Sequence, residues 1–205
     1  MEKECFGAAK NESVFLVNPD SVVRHLAVTG GSGSGKTTMA RKMMEQQISL
    51  GGGLVVMGDD GSCLRSLYRA AENCNRQNDI LVIGQNSTEL DFFDLSNAVK
   101  TNRIVFLTTP LFLNDAETIR IGSDFLCNAE QSFLKLQAEE KSALPFLFFI
   151  DEAGEYAEIA RTQSFNKSAI LANVGLISIH KSIKNPHATH VRVCLDVQGK
   201  QSLAA

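Results

Sequence analysis

The chain has 205 residues, 44% of them hydrophobic and 21% charged, with a formal net charge of −3. This is the balance of a soluble globular domain long enough to bury a sizeable core. It excludes a protein coated in basic charge for nucleic acid, so any such contact has to come from a local patch, and the longest apolar runs, residues 104–113 and 144–150, are too short to span a bilayer.

In chain order, residues 1–13 read as a loosely ordered N-terminal arm on a single domain spanning 1–205. Met1–Lys10 is polar and charged, unlike a secretory leader. Val14–Val17 has the length of a short strand, Asn18-Pro19-Asp20 is a turn signal, and Val22–Thr29 reads as the first central strand. After a Gly/Ser-rich loop, Thr38–Leu50 reads as a helix burying Met39, Ala40, Met43, Met44 and Ile48, and Gly51-Gly52-Gly53 stops it.

Leu54–Met57 has strand length, and Gly58-Asp59-Asp60-Gly61 turns the chain. Leu64, Leu67, Tyr68 and Ala71 mark a helix with Arg65, Arg69 and Arg76 outside its apolar stripe. Ile80–Ile83 reads as a buried strand, Gln85–Asn97 has no clear period, and Arg103–Thr108 is a strand ended by Pro110. The longest helix is expected from about Asn114 to Ala138, with Leu126, Ala129, Phe133 and Leu136 on its buried face. Phe146–Ile150 is the most apolar strand; a helix over Thr162–Ala172 and strands Gly175–Ile179 and His190–Asp196 follow. Apolar strands alternating with helices predict an α/β fold, a mostly parallel sheet between helices.

Two stretches carry chemistry. Gly30-Gly31-Ser32-Gly33-Ser34-Gly35-Lys36-Thr37-Thr38 contains the pattern G-x-x-x-x-G-K-[ST] between a strand and a helix. Its glycines let consecutive N–H groups turn inward, and the helix start adds a positive dipole end, so the segment is expected to cradle the phosphates of ATP. Lys36 is expected on the β- and γ-phosphates and the Thr37 hydroxyl on Mg²⁺.

The second stretch, Leu147-Phe148-Phe149-Ile150-Asp151-Glu152, ends a buried strand in two acids. Ligands of open α/β sheets sit at the carboxyl ends of strands. There Asp151 is expected to hold Mg²⁺ with Thr37, and Glu152 to orient the water that attacks the γ-phosphate. A Glu directly after the Asp favours hydrolysis over transfer to a small acceptor. With three strand candidates between the two motifs, this predicts an additional-strand, RecA-like P-loop NTPase core rather than a small-molecule kinase.

A third strand end, Ile179-His180-Lys181, supplies a candidate γ-phosphate sensor, His180 or Lys181. His180, His187, His190 and Cys194 fit no compact zinc pattern. Lys181, Lys184, His187 and Arg192 form a basic edge that faces DNA, a neighbouring subunit or, as is commoner for such clusters, solvent. Arg103, Arg120, Arg161 and Arg192 are all candidates for an arginine acting on a neighbouring subunit. The five cysteines, Cys5, Cys63, Cys74, Cys127 and Cys194, form no C-x-x-C pair; they read as reduced and mostly buried, in a cytoplasmic protein.

The chain resembles the ATPase domain of conjugative and type IV secretion coupling proteins, within the FtsK/HerA group of DNA-translocating ATPases. The resemblance runs through Arg24–Thr37, Gly52–Val56 with Gly61, Asn78–Ile83, Ile104–Pro110 with the long helix, and Leu144–Gly154. Asp60 stands where the family carries a Lys, and His180 or Lys181 where it carries a Gln. The resemblance implies an ATP-hydrolysing motor working as a homo-oligomeric ring on DNA or a DNA–protein cargo. It further implies secretion-complex or membrane partners, since the family's anchor and all-helical domain have no counterpart here. Compact viral genome-packaging ATPases of the same group, and a nucleotide-dependent assembly switch with little turnover, are the alternatives.

Overall fold

The short apolar runs become strands because each is flanked by glycine, proline or polar turns and is long enough to cross one sheet. A computed structural model describes residues 25–57, 63–83, 93–108, 115–136, 144–151, 163–180, 190–195 and 201–204. In chain order these form β1 (His25–Gly30), α1 (Lys36–Ser49), β2 (Leu54–Met57), α2 (Leu64–Asn73), a 3-10 turn (Gln77–Asp79), β3 (Ile80–Ile83), α3 (Leu95–Lys100) and β4 (Ile104–Leu107). They continue with α4 (Asp115–Leu136), β5 (Phe146–Ile150), α5 (Gln163–Leu171), β6 (Val174–His180), β7 (His190–Leu195) and β8 (Gln201–Ala204).

The strands make one sheet in the order β3-β4-β2-β5-β6-β1-β7-β8. Every neighbouring pair is parallel except β7 and β8. β6 therefore lies between β1, which leads into the phosphate loop, and β5, which leads into Asp151. That inserted strand is the mark of the additional-strand P-loop NTPase fold, and the fold class expected from the sequence is the one observed.

Side chains alternate across the sheet, so each strand feeds two cores. Leu54, Val56, Ile104, Phe106, Leu147, Phe149, Ile177 and Ile179 pack on one face with α1 and α2, through Met39, Met43, Met44, Ile48, Leu67 and Ala71. On the other face Val55, Val105, Phe146, Phe148 and Leu176 meet α3, α4 and α5. There Phe133 and Phe165 sit 5.6 Å apart, with Phe165 edge-on to Phe148 at 6.4 Å. The expected stripe Leu126, Ala129, Phe133 and Leu136 is buried in this layer.

The amino edge of the sheet is tied by polar side chains. Buried Gln47 donates through Nε2 to the carbonyls of Gly53 (3.2 Å) and Pro145 (2.6 Å), joining α1 to β2 and β5. Arg76 donates to the carbonyls of Ile48 (3.1 Å), Gly52 (2.8 Å) and Asn102 (2.5 Å), and its Nε pairs with Asp79 at 2.9 Å.

Four expectations change. Arg76 lies beyond α2 and is this half-buried clamp rather than an outward residue of the helix. Among the described residues β3 pairs only with β4, so Ile80 and Leu81 are half-buried and Val82 is exposed; it is an edge strand rather than a buried one. α3 and β8 arise in stretches with no anticipated element. Among the described cysteines, Cys63 is buried, Cys74 half-buried and Cys127 exposed, so burial is not the rule. Val14–Val17 and the N-terminal arm lie outside the described residues.

Candidate nucleotide site

The link from β1 to α1 bends where only glycine is at ease. Gly33 and Gly35 have φ of 76° and 89°, a region that penalises any Cβ. Gly35 caps α1, so the helix starts at Lys36, and its first bond runs from Met39 N–H to the Gly35 carbonyl at 2.9 Å. The amide groups of this first turn have no partner within the helix and make its start attractive to phosphate. Within the loop, Ser34 N–H donates to the Gly31 carbonyl at 3.3 Å. The Ser34 hydroxyl is buried without a partner among the described residues. The Lys36 ammonium folds back over the loop, donating to the carbonyls of Gly30 at 2.7 Å and Gly31 at 2.8 Å. Thr37 and Thr38 are exposed.

Parallel pairing brings the carboxyl ends of the central strands together at this loop. Asp151 follows β5 and is held by its own N–H, which donates to the Met57 carbonyl at 2.9 Å. Thr37 and Asp151 line the same small pocket, walled by Ala40, Cys63, Phe149 and Ile179. His180 ends β6 in register with Thr29 of β1, and both are buried. The fold thus gathers the phosphate loop, Asp151 and His180 at one sheet edge; Glu152 and Lys181 lie outside the described residues.

A hydroxyl and a carboxylate are the hard oxygen donors that suit a magnesium ion shared with phosphate, so the residues present fit that ion. Among the described residues no group of three or more His, Cys, Asp and Glu could hold a metal. His187 lies outside them, as do the side chains of His190 and Cys194.

The candidate arginines do not converge. Arg103 sits at the start of β4, on the opposite edge, donating to the Asn78 carbonyl at 2.8 Å and lying 3.5 Å from Asp79. Arg120 pairs with Asp124 at 3.3 Å on α4. Arg161 and the side chain of Arg192 lie outside the described residues. Cys63, a pocket residue the sequence reading passed over, stands at the N-cap of α2, the next described element after β2. Its place after a strand's carboxyl end was the available signal.

No described helix is long and apolar enough to cross a membrane. No curated protein matches the chain. Residues 14–82, which run from ahead of β1 into β3, match the family model of the Type IV secretion-system coupling protein DNA-binding domain. Among solved structures the chain is similar to the genome packaging NTPase of Sulfolobus turreted icosahedral virus 2 in complex with AMP, at 10% identity and TM-score 0.45, covering 86% of this chain and 75% of that one. It is similar to chloroplast FtsY of Physcomitrella patens at 14% identity and TM-score 0.35, covering 73% of this chain and 54% of that one. It is also similar to an ATPase from the type III secretion system of pathogenic bacteria at 12% identity and TM-score 0.37, with 85% and 53% covered. The chain spans about half the length of these last two. The resemblance to coupling proteins is therefore shown over the segment bearing the phosphate loop, on a P-loop NTPase fold.

Proposed function

We propose that this protein is an ATPase whose turnover drives transfer of DNA, or of a DNA–protein cargo, as a ring of subunits. The single observation that carries the ATPase reading is the shared pocket of Thr37 and Asp151 beside the loop Gly30–Thr38. The DNA reading is supported by the coupling-protein match over residues 14–82.

In this reading the loop amides and the start of α1 bind the phosphates. Lys36 exchanges the carbonyls of Gly30 and Gly31 for phosphate oxygens, a swap that keeps its ammonium hydrogen-bonded throughout. Thr37 and Asp151 would hold a magnesium ion, which would neutralise phosphate charge. Glu152, next after Asp151 in the chain, orients the attacking water and accepts its proton. His180, buried and in register with Thr29, or Lys181, the next residue in the chain, senses the γ-phosphate.

The test is ATP binding and steady-state hydrolysis by the parent, Lys36→Ala and Glu152→Gln, with and without DNA. Lys36→Ala is expected to lose nucleotide binding or turnover. Glu152→Gln is expected to keep binding and to lose hydrolysis by about two to four orders of magnitude. Parent-rate hydrolysis by Glu152→Gln overturns the water-orienting role. DNA-independent, near-zero turnover by the parent overturns the motor and leaves a nucleotide-driven assembly switch.

A further inference from the structure

Helix α2 buries Leu67 and Ala71 completely against the sheet. Its outer side exposes Arg65, Tyr68 and Arg69, at i, i+3 and i+4, the spacing that puts three side chains next to each other on one face. Tyr68 keeps 43% of its surface exposed, unusual for a ring of that size. Arg76, Arg103 and Arg120 each pair with a carboxylate, but Arg65 and Arg69 pair with none among the described residues. The acid on this face, Glu72, stands one turn nearer the helix end. Two uncommitted guanidinium groups flanking an exposed aromatic ring, on a rigid helix, match a ligand that alternates phosphates with flat bases.

The same helix touches the nucleotide site at its N-terminal end, the end nearer Arg65. Cys63 caps α2 and walls the pocket of Thr37 and Asp151, and α2 packs along α1, whose start is the phosphate loop. We propose that the Arg65–Tyr68–Arg69 face is a contact site for single-stranded DNA, with the arginines on phosphates and Tyr68 under a base. This rests on the DNA-transfer reading and gives it an address. A strand held on this face bears on the element that begins at the nucleotide pocket.

The experiment measures binding of the full chain to a labelled oligothymidine and to a duplex, across a salt series, for the parent, Arg65→Ala/Arg69→Ala, Tyr68→Ala and Glu72→Gln. All four positions are exposed, so thermal unfolding and ATP binding are expected to match the parent and serve as controls for folding. The double arginine variant is expected to bind about tenfold or more weakly and to reduce the slope of log K against log salt by about 2. Tyr68→Ala is expected to lose roughly tenfold on the single strand and little on the duplex, because only unpaired bases can stack. Glu72→Gln is expected to bind more tightly. If the parent binds DNA and the arginine and tyrosine variants bind it with the same affinity and salt slope, this face is overturned and the DNA-transfer reading stands. Equal loss on duplex and single strand overturns the stacking contact. A parent that binds neither form overturns the DNA-transfer reading itself.

Discussion

Thr37 and Asp151 line one pocket although they come from opposite halves of the chain, one at the start of α1 and the other just past β5. The inserted strand β6 sets that distance, because it holds β1 and β5 one strand apart with all three carboxyl ends on the same edge.

Gly35→Ala should injure the loop specifically. With φ at 89° and nothing within 4 Å of an added Cβ, the penalty is backbone strain and not a clash. A cost of about 1–2 kcal/mol is expected, together with weaker nucleotide binding. Thermal unfolding and a nucleotide titration of the same sample check both.

Arg76→Ala should destabilise without touching nucleotide affinity. The substitution removes a donor from three carbonyls and the close partner of Asp79 at the amino edge, far from the phosphate loop. The expected loss is about 2–3 kcal/mol, read from urea unfolding. Arg76→Lys should recover only part of it, since an ammonium cannot span the same acceptors as a fork of N–H donors.

Much of this architecture was legible in the sequence, and the omissions have physical causes. Phe146–Ile150 and Leu54–Met57 announce themselves because both of their faces are buried, so they are apolar throughout. The glycine-rich loop is legible because its backbone geometry demands those glycines. α3 was missed because it has only six residues and follows Asp91-Phe92-Phe93-Asp94, which has no period. Its one local signal was the cap, where Asp94 accepts from Asn97 N–H at 3.1 Å. The partial exposure of β3 follows from strand order, which no local pattern encodes. Arg76 misled for the same reason: its acceptors lie on segments distant in sequence. Of the site, the loop and Asp151 were legible, and Thr37 and Asp151 line one pocket, while Cys63 was passed over because a lone cysteine carries no pattern.

The α3 cap gives an acid-side prediction. The Ser96 hydroxyl, at 2.6 Å, and the Asn97 N–H hold the Asp94 carboxyl below its usual value. A carboxylate with a lowered folded pKa adds stability above its unfolded value and loses it as pH falls through the folded one. Asp94→Ala should therefore cost up to about 1 kcal/mol near neutrality, with the gap to the parent closing as the pH drops through the acid range. Urea midpoints measured against pH check this.

Phe148→Ala should cost about 3–5 kcal/mol. Its ring is fully buried among Phe125, Phe133 and Phe165, which are themselves buried, so truncation opens a cavity in the core. Loss of cooperative unfolding near body temperature is the expected readout.

The most direct test of the account is the ATP hydrolysis rate of Asp151→Asn beside the parent at saturating ATP and magnesium. The substitution keeps the shape of the pocket that Asp151 shares with Thr37 and removes the charge. The account predicts a loss of about two orders of magnitude or more, with folding intact. Turnover by Asp151→Asn at the parent rate would contradict it.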